Sequence, residues 1–292
     1  MKKAFLQLHA AIFLAGFTGV LGRLISVNEV MLVWYRMLFA TIGLWVVSLL
    51  TKKLSKLSLN ELIKLFGIGF IIALHWVFFY GSVKYANVSV SLICFSAIGF
   101  FSSILDPIIS KRKFEWIELF LGWIVMVGIY LMFHFDPQFR TGIIFGMISS
   151  FLAAIFPIFN KKMMQLHSPQ TITFYEMAGG FLLLTLVVPF YIQFAVDPIL
   201  LPNLSDIFWL LLLALFCTVL AFNLSVRSLS KISPFTVNLS FNLEPVYGIA
   251  LAFFIFKEYK EVGLSFYAGI LIIFLTVVLQ TYRVYRQSKA KQ

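Results

Sequence analysis

Hydrophobic residues fill the chain in long runs that are separated by short polar segments. A spanning helix needs roughly 20 consecutive apolar residues to cross a bilayer core, and ten runs approach that length. In the first half these runs are residues 4–22, 30–50, 65–83, 87–109 and 116–134. In the second half they are residues 141–159, 171–194, 206–226, 233–256 and 262–282. The pattern therefore predicts ten membrane spans.

The runs predict helices rather than strands. They lack the alternating segments of about 10 residues that mark an outer-membrane barrel, and every backbone amide in lipid needs an internal hydrogen-bond partner. Charged residues make up 12% of the chain, about half of the roughly 25% typical of soluble domains, and the mean hydropathy is +0.96. The predicted fold class is an all-α polytopic membrane protein.

Lys2 and Lys3 before the first run are also typical of a secretory signal peptide. No convincing small-residue cleavage site follows them, and the run has a counterpart in the second half, so we expect a membrane span instead. Cys94 and Cys217 both fall inside predicted spans, which argues against a disulfide framework or a CxxC metal site. The sequence predicts no metal site and no cofactor.

Lysine and arginine residues are concentrated in alternate loops. If the amino terminus is cytoplasmic, 17 of them lie in cytoplasmic segments, whereas the outer loops hold five: Arg23, Lys84, Arg140, Lys257 and Lys260. Because positive residues are retained on the cytoplasmic side of short loops, both termini are predicted to be cytoplasmic. This topology and anionic lipid headgroups account for the net charge of +11, so nucleic acid is not expected as a partner.

The second half of the chain resembles the first in three segments. FLAGF at 13–17 corresponds to FLAAI at 151–155, WYRM at 34–37 to FYEM at 174–177, and residues 88–91 to residues 234–237. Each half has five predicted spans, an odd number, so the second copy enters the membrane from the opposite side. We therefore predict an inverted repeat with domains at residues 1–137 and 138–292. By analogy, this architecture is usual among secondary transporters.

The clearest motif is ISPFTVNLSFNLEPVYGIALAFFIFKE at residues 232–258, which has a small-residue start, a mid-span proline and a closing glutamate. With Arg36 near the start of the second span, it resembles the EamA family of ten-helix bacterial exporters in the drug/metabolite transporter superfamily. The resemblance covers nearly the whole chain. It implies export of amino acids or other small organic molecules through a central cavity, by alternating access and without ATP. It also implies a plasma-membrane or inner-membrane location.

Sequence motifs of enzymes are missing from the chain. It contains no GxxxxGKS or GxxxxGKT phosphate loop, no GxSxG elbow and no HExxH helix, which are the local signatures of nucleotide hydrolysis, serine hydrolysis and zinc proteolysis. We therefore expect a protein that is not an enzyme.

The first half departs from the family pattern in its fourth span. Gly99 replaces the mid-span proline and Arg112 replaces the closing glutamate. An Asp-Pro pair that ends at Pro107 lies 8 residues later, so a break at either Gly99 or Pro107 remains open. In the ninth span Pro245 is predicted to leave the carbonyl of Phe241 without its amide partner and to bend the helix. Gly99, Pro107 and Pro245 are the predicted hinges.

Ionisable groups inside spans usually face protein or water, because a charge that faces lipid costs from about 3 kcal/mol upward. His75 and Glu244 lie nearest the middle of their spans. The predicted substrate-binding residues are polar or aromatic and are His75, Trp76, Ser96, Asn223, Asn238 and Asn242. At about 100° per residue, Asn238, Asn242 and Pro245 share one stripe, and Glu244 points about 120° away. Glu244 is predicted to be structural or a proton acceptor, with the proton as candidate coupling ion.

Arg36 and Glu176 lie at matching positions of the two halves. With a two-fold axis in the membrane plane they fall on opposite sides of the midplane, so we expect no direct salt bridge and a separate partner for each. Both residues are open to two interpretations: gates, coupling groups or anchors for the charges of an amino acid, or interhelical packing contacts. His75 is likewise either a hydrogen-bonded structural residue or part of a pocket that stacks a solute.

The sequence thus predicts a secondary transporter that lies in a lipid bilayer and exports small metabolites. A non-transporting membrane scaffold or sensor is an alternative, for which Ala substitution at Asn238 or His75 would change stability without altering the flux of any solute. An integral-membrane enzyme is a second alternative. It requires a catalytic cluster at the membrane surface, and the short loops, rich in lysine or apolar residues, offer none.

Overall fold

The computed structural model of the protein describes residues 2–51, 54–133, 139–194 and 200–289. At a few helical positions in these ranges, Asn242 among them, it describes the backbone and not the side chain. The predicted boundary between the two domains, at residues 137 and 138, lies outside the described residues.

Helices make up all the regular structure in these ranges, which confirms the predicted all-α class. The α-helices are α1 (Lys2–Ala15), α2 (Phe17–Leu24), α3 (Glu29–Thr51), α4 (Leu59–Tyr85), α5 (Val88–Phe95), α6 (Ile98–Ser110), α7 (Trp116–Phe133), α8 (Arg140–Met163), α9 (Pro169–Phe194), α10 (Leu204–Ala214), α11 (Ala221–Ser228), α12 (Pro234–Ser240), α13 (Glu244–Phe256) and α14 (Leu264–Lys289). Seven helical segments are long and apolar enough to cross a membrane, and three shorter apolar helices accompany them.

Large apolar side chains cover the outside of the helical bundle. Trp116, Phe194 and Phe254 are 77%, 86% and 88% exposed. Soluble monomers rarely expose extended apolar patches, whereas lipid tails are a favourable environment for them. The surface of the protein therefore fits a bilayer.

Polar side chains determine where several helices begin. At α4 the Ser58 hydroxyl accepts a hydrogen bond from the Glu61 amide, and the Glu61 carboxylate accepts one from the Ser58 amide. Asn203 and Asp206 form the same capping box at α10, and Asn87 caps α5. Because the first amides of a helix have no intrahelical partner, these contacts set helix starts at the polar boundaries of the apolar runs.

Four of the apolar runs are interrupted within the described residues. A break at Gly16 separates α1 from α2, and a turn at residues 96–97 separates α5 from α6. The π-helical turn Leu215–Leu220 joins α10 to α11, and the 3-10 turn Phe241–Leu243 joins α12 to α13. Irregular backbone at membrane depth is tolerated where it is buried in protein or lines a cavity, so these interruptions indicate where a site could lie.

The predicted hinges lie at or near two of these interruptions. The turn at residues 96–97 comes just before Gly99, whereas Pro107 lies inside α6. Pro245 occupies the first turn of α13. The prediction that Pro245 frees the carbonyl of Phe241 is wrong, because that carbonyl accepts a hydrogen bond from the amide of Glu244 in the 3-10 turn.

Much of the helix packing recurs when the two halves are exchanged. The correspondence pairs α1–α2 with α8, α3 with α9, α4 with α10–α11, α5–α6 with α12–α13, and α7 with α14. Accordingly α4 packs on α8 as α11 packs on α1, and α4 packs on α9 as α10 packs on α3. The pairs α3–α9 and α7–α14 join corresponding helices directly, and the pair α5–α13 has its counterpart in the pair α6–α12. This is the packing expected around a pseudo-two-fold axis.

One backbone feature recurs at corresponding positions. α6 ends at Lys111 and α13 ends at Lys257, both in the left-handed conformation, with φ of 53° and 59°. Among the described residues they are the only non-glycine positions with positive φ. Because side chains other than glycine rarely adopt this conformation, its recurrence supports the repeat independently of sequence similarity.

Candidate functional site

A cavity, which we call the central cavity, lies between the two halves. Its walls come from α1 to α6 of the first half and from α8, α11, α12, α13 and the two irregular turns of the second half. Its lining is mainly apolar and aromatic with a few polar side chains, which is typical of binding sites for small organic molecules.

Aromatic side chains form much of the apolar wall of the central cavity. They are Trp76, Phe79, Phe95, Phe156, Phe222 and Phe241. The ring centroid of Phe222 lies 6.4 Å from that of Trp76 and 5.8 Å from that of Phe156. Rings at these separations pack edge-to-face or offset, so the wall suits an aromatic or large apolar group.

Arg36 is the cationic residue of the central cavity and is only 2% exposed. Its Nε donates to Thr218 Oγ1 at 2.8 Å, and its Nη1 donates to the Tyr80 hydroxyl at 2.7 Å. The guanidinium lies 3.6 Å from the centroid of the Trp76 ring, a cation–π contact worth about 2 kcal/mol when desolvated. Within the described chain no carboxylate forms an ion pair with it. Arg36 can therefore attract an anionic group into the cavity.

The π-helical turn Leu215–Leu220 supplies the contacts of the second half to Arg36. The Thr218 hydroxyl donates to the carbonyl of Leu213 at 3.1 Å and accepts from Arg36. The carbonyl of Cys217 lies 3.5 Å from Arg36 Nη2. Single π turns are frequent at functional sites, and no sequence feature indicated this one.

Glu244 is the acidic residue of the central cavity. It is 5% exposed and is the first residue of α13, where the positive end of the helix dipole favours a carboxylate. Arg36 acts electrostatically on the same carboxyl group. The cavity therefore presents a guanidinium and a carboxyl group to one enclosed space, which are complements to the two charges of a zwitterion.

His75 lines the central cavity and is also held by the protein. Its Nδ1 lies 2.8 Å from Ser149 Oγ and 3.0 Å from the Ser149 carbonyl oxygen. Its ring stacks on Phe95 with 5.5 Å between centroids. These contacts support the structural interpretation, and the ring still contributes one surface of the aromatic wall.

The remaining predicted substrate residues divide into two groups. Trp76 and Asn238 line the central cavity, and Asn238 Nδ2 donates to Ser102 Oγ of α6 at 3.1 Å. Ser96 and Asn223 are not part of the lining, and Ser96 borders a separate apolar crevice beside Pro245. The side chain of Asn242 lies outside the described residues.

Several residues of the central cavity escaped the sequence reasoning. Thr18 lies in the wall and interacts with Cys217. Phe156, Phe222 and Phe241 are part of the aromatic wall, but with 34 phenylalanines in the chain nothing in the sequence separates wall residues from those that face lipid. Only their positions in the packed helices distinguish them.

Glu176 lies outside the central cavity. It is 0% exposed on α9, as is Asn160 of α8. Asn160 is close enough to interact with the carboxyl group, yet no hydrogen bond of normal geometry reaches either carboxylate oxygen or either polar atom of Asn160. Arg36 therefore has hydrogen-bonded polar partners, whereas Glu176 has Asn160 nearby without a hydrogen bond of normal geometry.

The buried carboxylate of Glu258 joins the two halves at one end of the bundle, which we call the Glu258 end. Glu258 is 0% exposed and accepts hydrogen bonds from the amides of Val88 and Ser89, at 3.1 and 2.9 Å, where α5 begins. It also forms an ion pair with Arg23 at the end of α2. A carboxylate at a helix start is favoured by both charge and hydrogen bonding, so this contact closes the Glu258 end.

The opposite end, which we call the Arg112 end, lacks this contact. Arg112 occupies the position that corresponds to Glu258, and it pairs within its own half with Asp106 at 3.0 Å and Glu118 at 2.9 Å. A cation is unfavourable at the positive start of a helix. A pocket open to solvent lies between Arg112 and the start of α12 at Pro234.

Comparison with known proteins identifies the fold and the family. The EamA-like transporter family model matches the chain twice, over residues 2–134 and 140–282. A solved structure described as "Crystal structure of protein" has a TM-score of 0.70 and 12% identity, and the match covers 98% of this chain and 99% of that one. At this identity the likeness shows a shared fold. No curated protein is significantly similar in sequence. The two matches, together with the apolar helices, show that the chain is a multi-pass membrane protein that belongs to the EamA-like transporter family.

Proposed function

We propose that the protein is a secondary active transporter that moves small zwitterionic metabolites through the central cavity by alternating access. The observation that carries the proposal is that Arg36 and Glu244 line one aromatic cavity between the two repeats. Arg36 would bind the carboxylate of the solute and Glu244 its ammonium group. Amino acids with aromatic or large apolar side chains are the proposed substrates.

The expected selectivity follows from the cost of leaving a buried charge without its ligand. A hydrogen bond to a charged group contributes about 1.5–3 kcal/mol, and 1.4 kcal/mol is tenfold in affinity. A solute that lacks either the carboxylate or the ammonium group should therefore bind about 10- to 100-fold more weakly. Loss of the aromatic side chain should cost less, because the wall offers many small contacts.

The proposed topology has ten crossings in two inverted repeats, with both termini in the cytoplasm of a cell whose plasma or inner membrane holds the protein. Leu8 near the amino terminus packs with Leu229 and Ile232. Arg283 near the carboxy terminus pairs with Glu115. These contacts support the proposal that both terminal helices have their outer ends at the Arg112 end, which also carries most of the lysine and arginine residues. By the positive-inside rule this end would be cytoplasmic.

Alternating access is supported by the unequal ends of the bundle. At the Glu258 end, Arg23 and the start of α5 in the first half contact Glu258 in the second half. At the Arg112 end the corresponding space is a pocket. Opening toward the outside would separate Glu258 from α5 and Arg23, while the Arg112 end closes. Export is the proposed direction.

The test uses purified protein in proteoliposomes loaded with unlabelled amino acids. Counterflow of radiolabelled phenylalanine is measured against competitors that share its side chain: phenylethylamine without the carboxylate, and 3-phenylpropionate without the ammonium group. We expect amino acids to compete at least tenfold better than either analogue. Lys64→Gln, which removes an exposed cation of α4, is the control and should transport normally.

Two results would contradict the proposal. If no compound in a panel of amino acids and related metabolites moved through protein shown to be folded, transport would be excluded and the scaffold or sensor alternative favoured. If both phenylalanine analogues competed as well as phenylalanine itself, the roles of Arg36 and Glu244 would be wrong. If transport is observed, measurement of export from intact cells that overproduce the protein establishes the direction of net flux.

A further inference from the structure

The buried pair Glu176 and Asn160 forms a polar cluster apart from the central cavity. Both side chains are 0% exposed, and all four of their side-chain oxygen and nitrogen atoms are without a hydrogen bond. An ionised carboxylate in such surroundings is strongly destabilising, and unpaired buried polar atoms are rare in folded proteins. The cluster therefore calls for a ligand that neutralises the carboxylate.

The helix α9, which carries Glu176, packs closely against α4. A Cβ atom added at Gly69 of α4 would overlap the carbonyl oxygen of Glu176 and lie 2.9 Å from the amide nitrogen of Gly180. The backbones of α4 and α9 are thus in direct contact here. Hard metal cations need about six or more oxygen ligands, whereas the cluster supplies three side-chain oxygens, two from Glu176 and one from Asn160. A proton needs one carboxylate oxygen.

Among the described residues, no cationic side chain forms an ion pair with Glu176. The helices α3, α4 and α11 pack on α9, and α8 contributes Asn160. The charged and titratable residues of these helices include Arg36, His75, Lys161 and Arg227, and none of them pairs with the Glu176 carboxyl group. A bound proton is the neutralising charge that remains.

We propose that Glu176 and Asn160 form a proton-binding site that couples solute movement to a proton gradient. The inference rests on the proposed transport function. In the described conformation Glu176 carries the proton beside Asn160. When α9 moves relative to α4 and α8, water reaches the carboxyl group, one carboxylic O–H bond breaks and the proton passes to water. Reprotonation from water at the other stage of the cycle restores the neutral form.

The proton is tested first by a measurement that does not need a substrate. Infrared spectra of the full-length protein in liposomes at neutral pH are recorded for the wild type, for Glu176→Gln, and for Glu261→Gln as a matched control with a half-exposed carboxylate. The wild-type minus Glu176→Gln spectrum should contain the carbonyl band of a protonated carboxyl group. The wild-type minus Glu261→Gln spectrum should lack it. Its absence from the first difference would overturn the inference.

Coupling is tested by comparing exchange with accumulation. Gln imitates the protonated carboxyl group, so Glu176→Gln should exchange labelled solute at a rate within about threefold of wild type and lose at least tenfold in accumulation driven by a pH gradient. Asn160→Leu should also weaken accumulation. Equal accumulation by wild type and Glu176→Gln would overturn the coupling role.

Two further outcomes separate this inference from the proposed function. If sodium ions raised the melting temperature of the wild type and not of Glu176→Gln, the site would bind a metal cation and the proton assignment would be wrong. If the carboxyl band were present but no solute moved in any assay, the proposed transport function and the coupling role would fail together while the proton site itself stood.

Discussion

Arg36 of the first repeat and Glu176 of the second occupy corresponding positions in α3 and α9, yet their environments differ. The Arg36 guanidinium has hydrogen bonds to Thr218 and Tyr80, stacks on Trp76 and lines the central cavity. The Glu176 carboxylate has no hydrogen bond and lies outside the cavity. The repeated backbone thus carries one cationic side chain with hydrogen bonds and one carboxyl group without them.

A second pair of corresponding positions shows the same kind of divergence. Glu258 joins the two repeats at the start of α5, whereas Arg112 turns away from the start of α12 and pairs with Asp106 and Glu118 of its own repeat. The sign of the charge decides the outcome, because a helix start attracts a carboxylate and repels a guanidinium. Two-fold symmetry of the backbone therefore does not make the two ends equivalent.

The largest expected effect is at Arg36. Arg36→Met keeps much of the apolar volume and removes every hydrogen bond of the guanidinium, so solute transport should fall about 30- to 100-fold. Glu176→Gln, at the corresponding position, should leave solute exchange nearly unchanged. Counterflow in proteoliposomes measures both variants, and an equal loss at both positions would show that the contrast between them is false.

Glu258 should have the next largest effect, on stability. Glu258→Gln removes the charge that holds Arg23 and the start of α5, which should lower the free energy of unfolding by about 2 kcal/mol. Glu261→Gln is the matched control on the same segment, and its half-exposed ion pair should contribute less than about 1 kcal/mol. Denaturant titration of the purified protein measures both. Similar losses for the two variants would argue against Glu258 as the closing contact.

Thr218 tests whether the π-helical turn matters to Arg36. Thr218→Val keeps the shape of the side chain and removes the hydroxyl that accepts from Arg36 Nε, so stability should fall by about 1 kcal/mol and transport by about fivefold. Tyr80→Phe should produce a similar change, because it removes the acceptor of Arg36 Nη1. If both variants transported like the wild type, Arg36 would not depend on these partners for its position.

Arg112 should show the smallest effect. Its side chain is 30% exposed, and half-exposed ion pairs contribute at most about 1 kcal/mol. Arg112→Gln should therefore lower the free energy of unfolding by less than about 1 kcal/mol, in contrast to Glu258→Gln. A loss as large as that of Glu258→Gln would mean that the Arg112 end is also held closed by its charged residues.

The helical segments could be predicted from hydrophobic run lengths. Each predicted run is largely helical in the described residues, because backbone hydrogen bonding and apolar burial act over neighbouring residues. The family followed from the ninth-span motif, which the two family matches confirm. The position of the break in the fourth span was harder to predict from the sequence. It lies at residues 96–97, and neither Gly99 nor Pro107 occupies it.

The sequence identified some residues of the central cavity and wrongly grouped others with them, for a physical reason. His75, Trp76, Asn238, Arg36 and Glu244 line the central cavity, since polar and aromatic residues at midspan depth have few favourable places other than a cavity or a helix contact. Ser96, Asn223 and Glu176 meet the same description and lie elsewhere. Depth along a helix can be read from sequence, whereas the direction that a side chain faces depends on the neighbouring helices.

By itself the sequence determined that the chain is a helical membrane protein of two similar halves, because hydrophobic length and repeated motifs are local properties. Tertiary structure alone decided which charges are satisfied. Arg36 meets Thr218, 182 residues away along the chain, and Glu258 meets Val88 across 170 residues. Such contacts depend on how the two halves pack, and the same packing leaves Glu176 buried without a hydrogen bond.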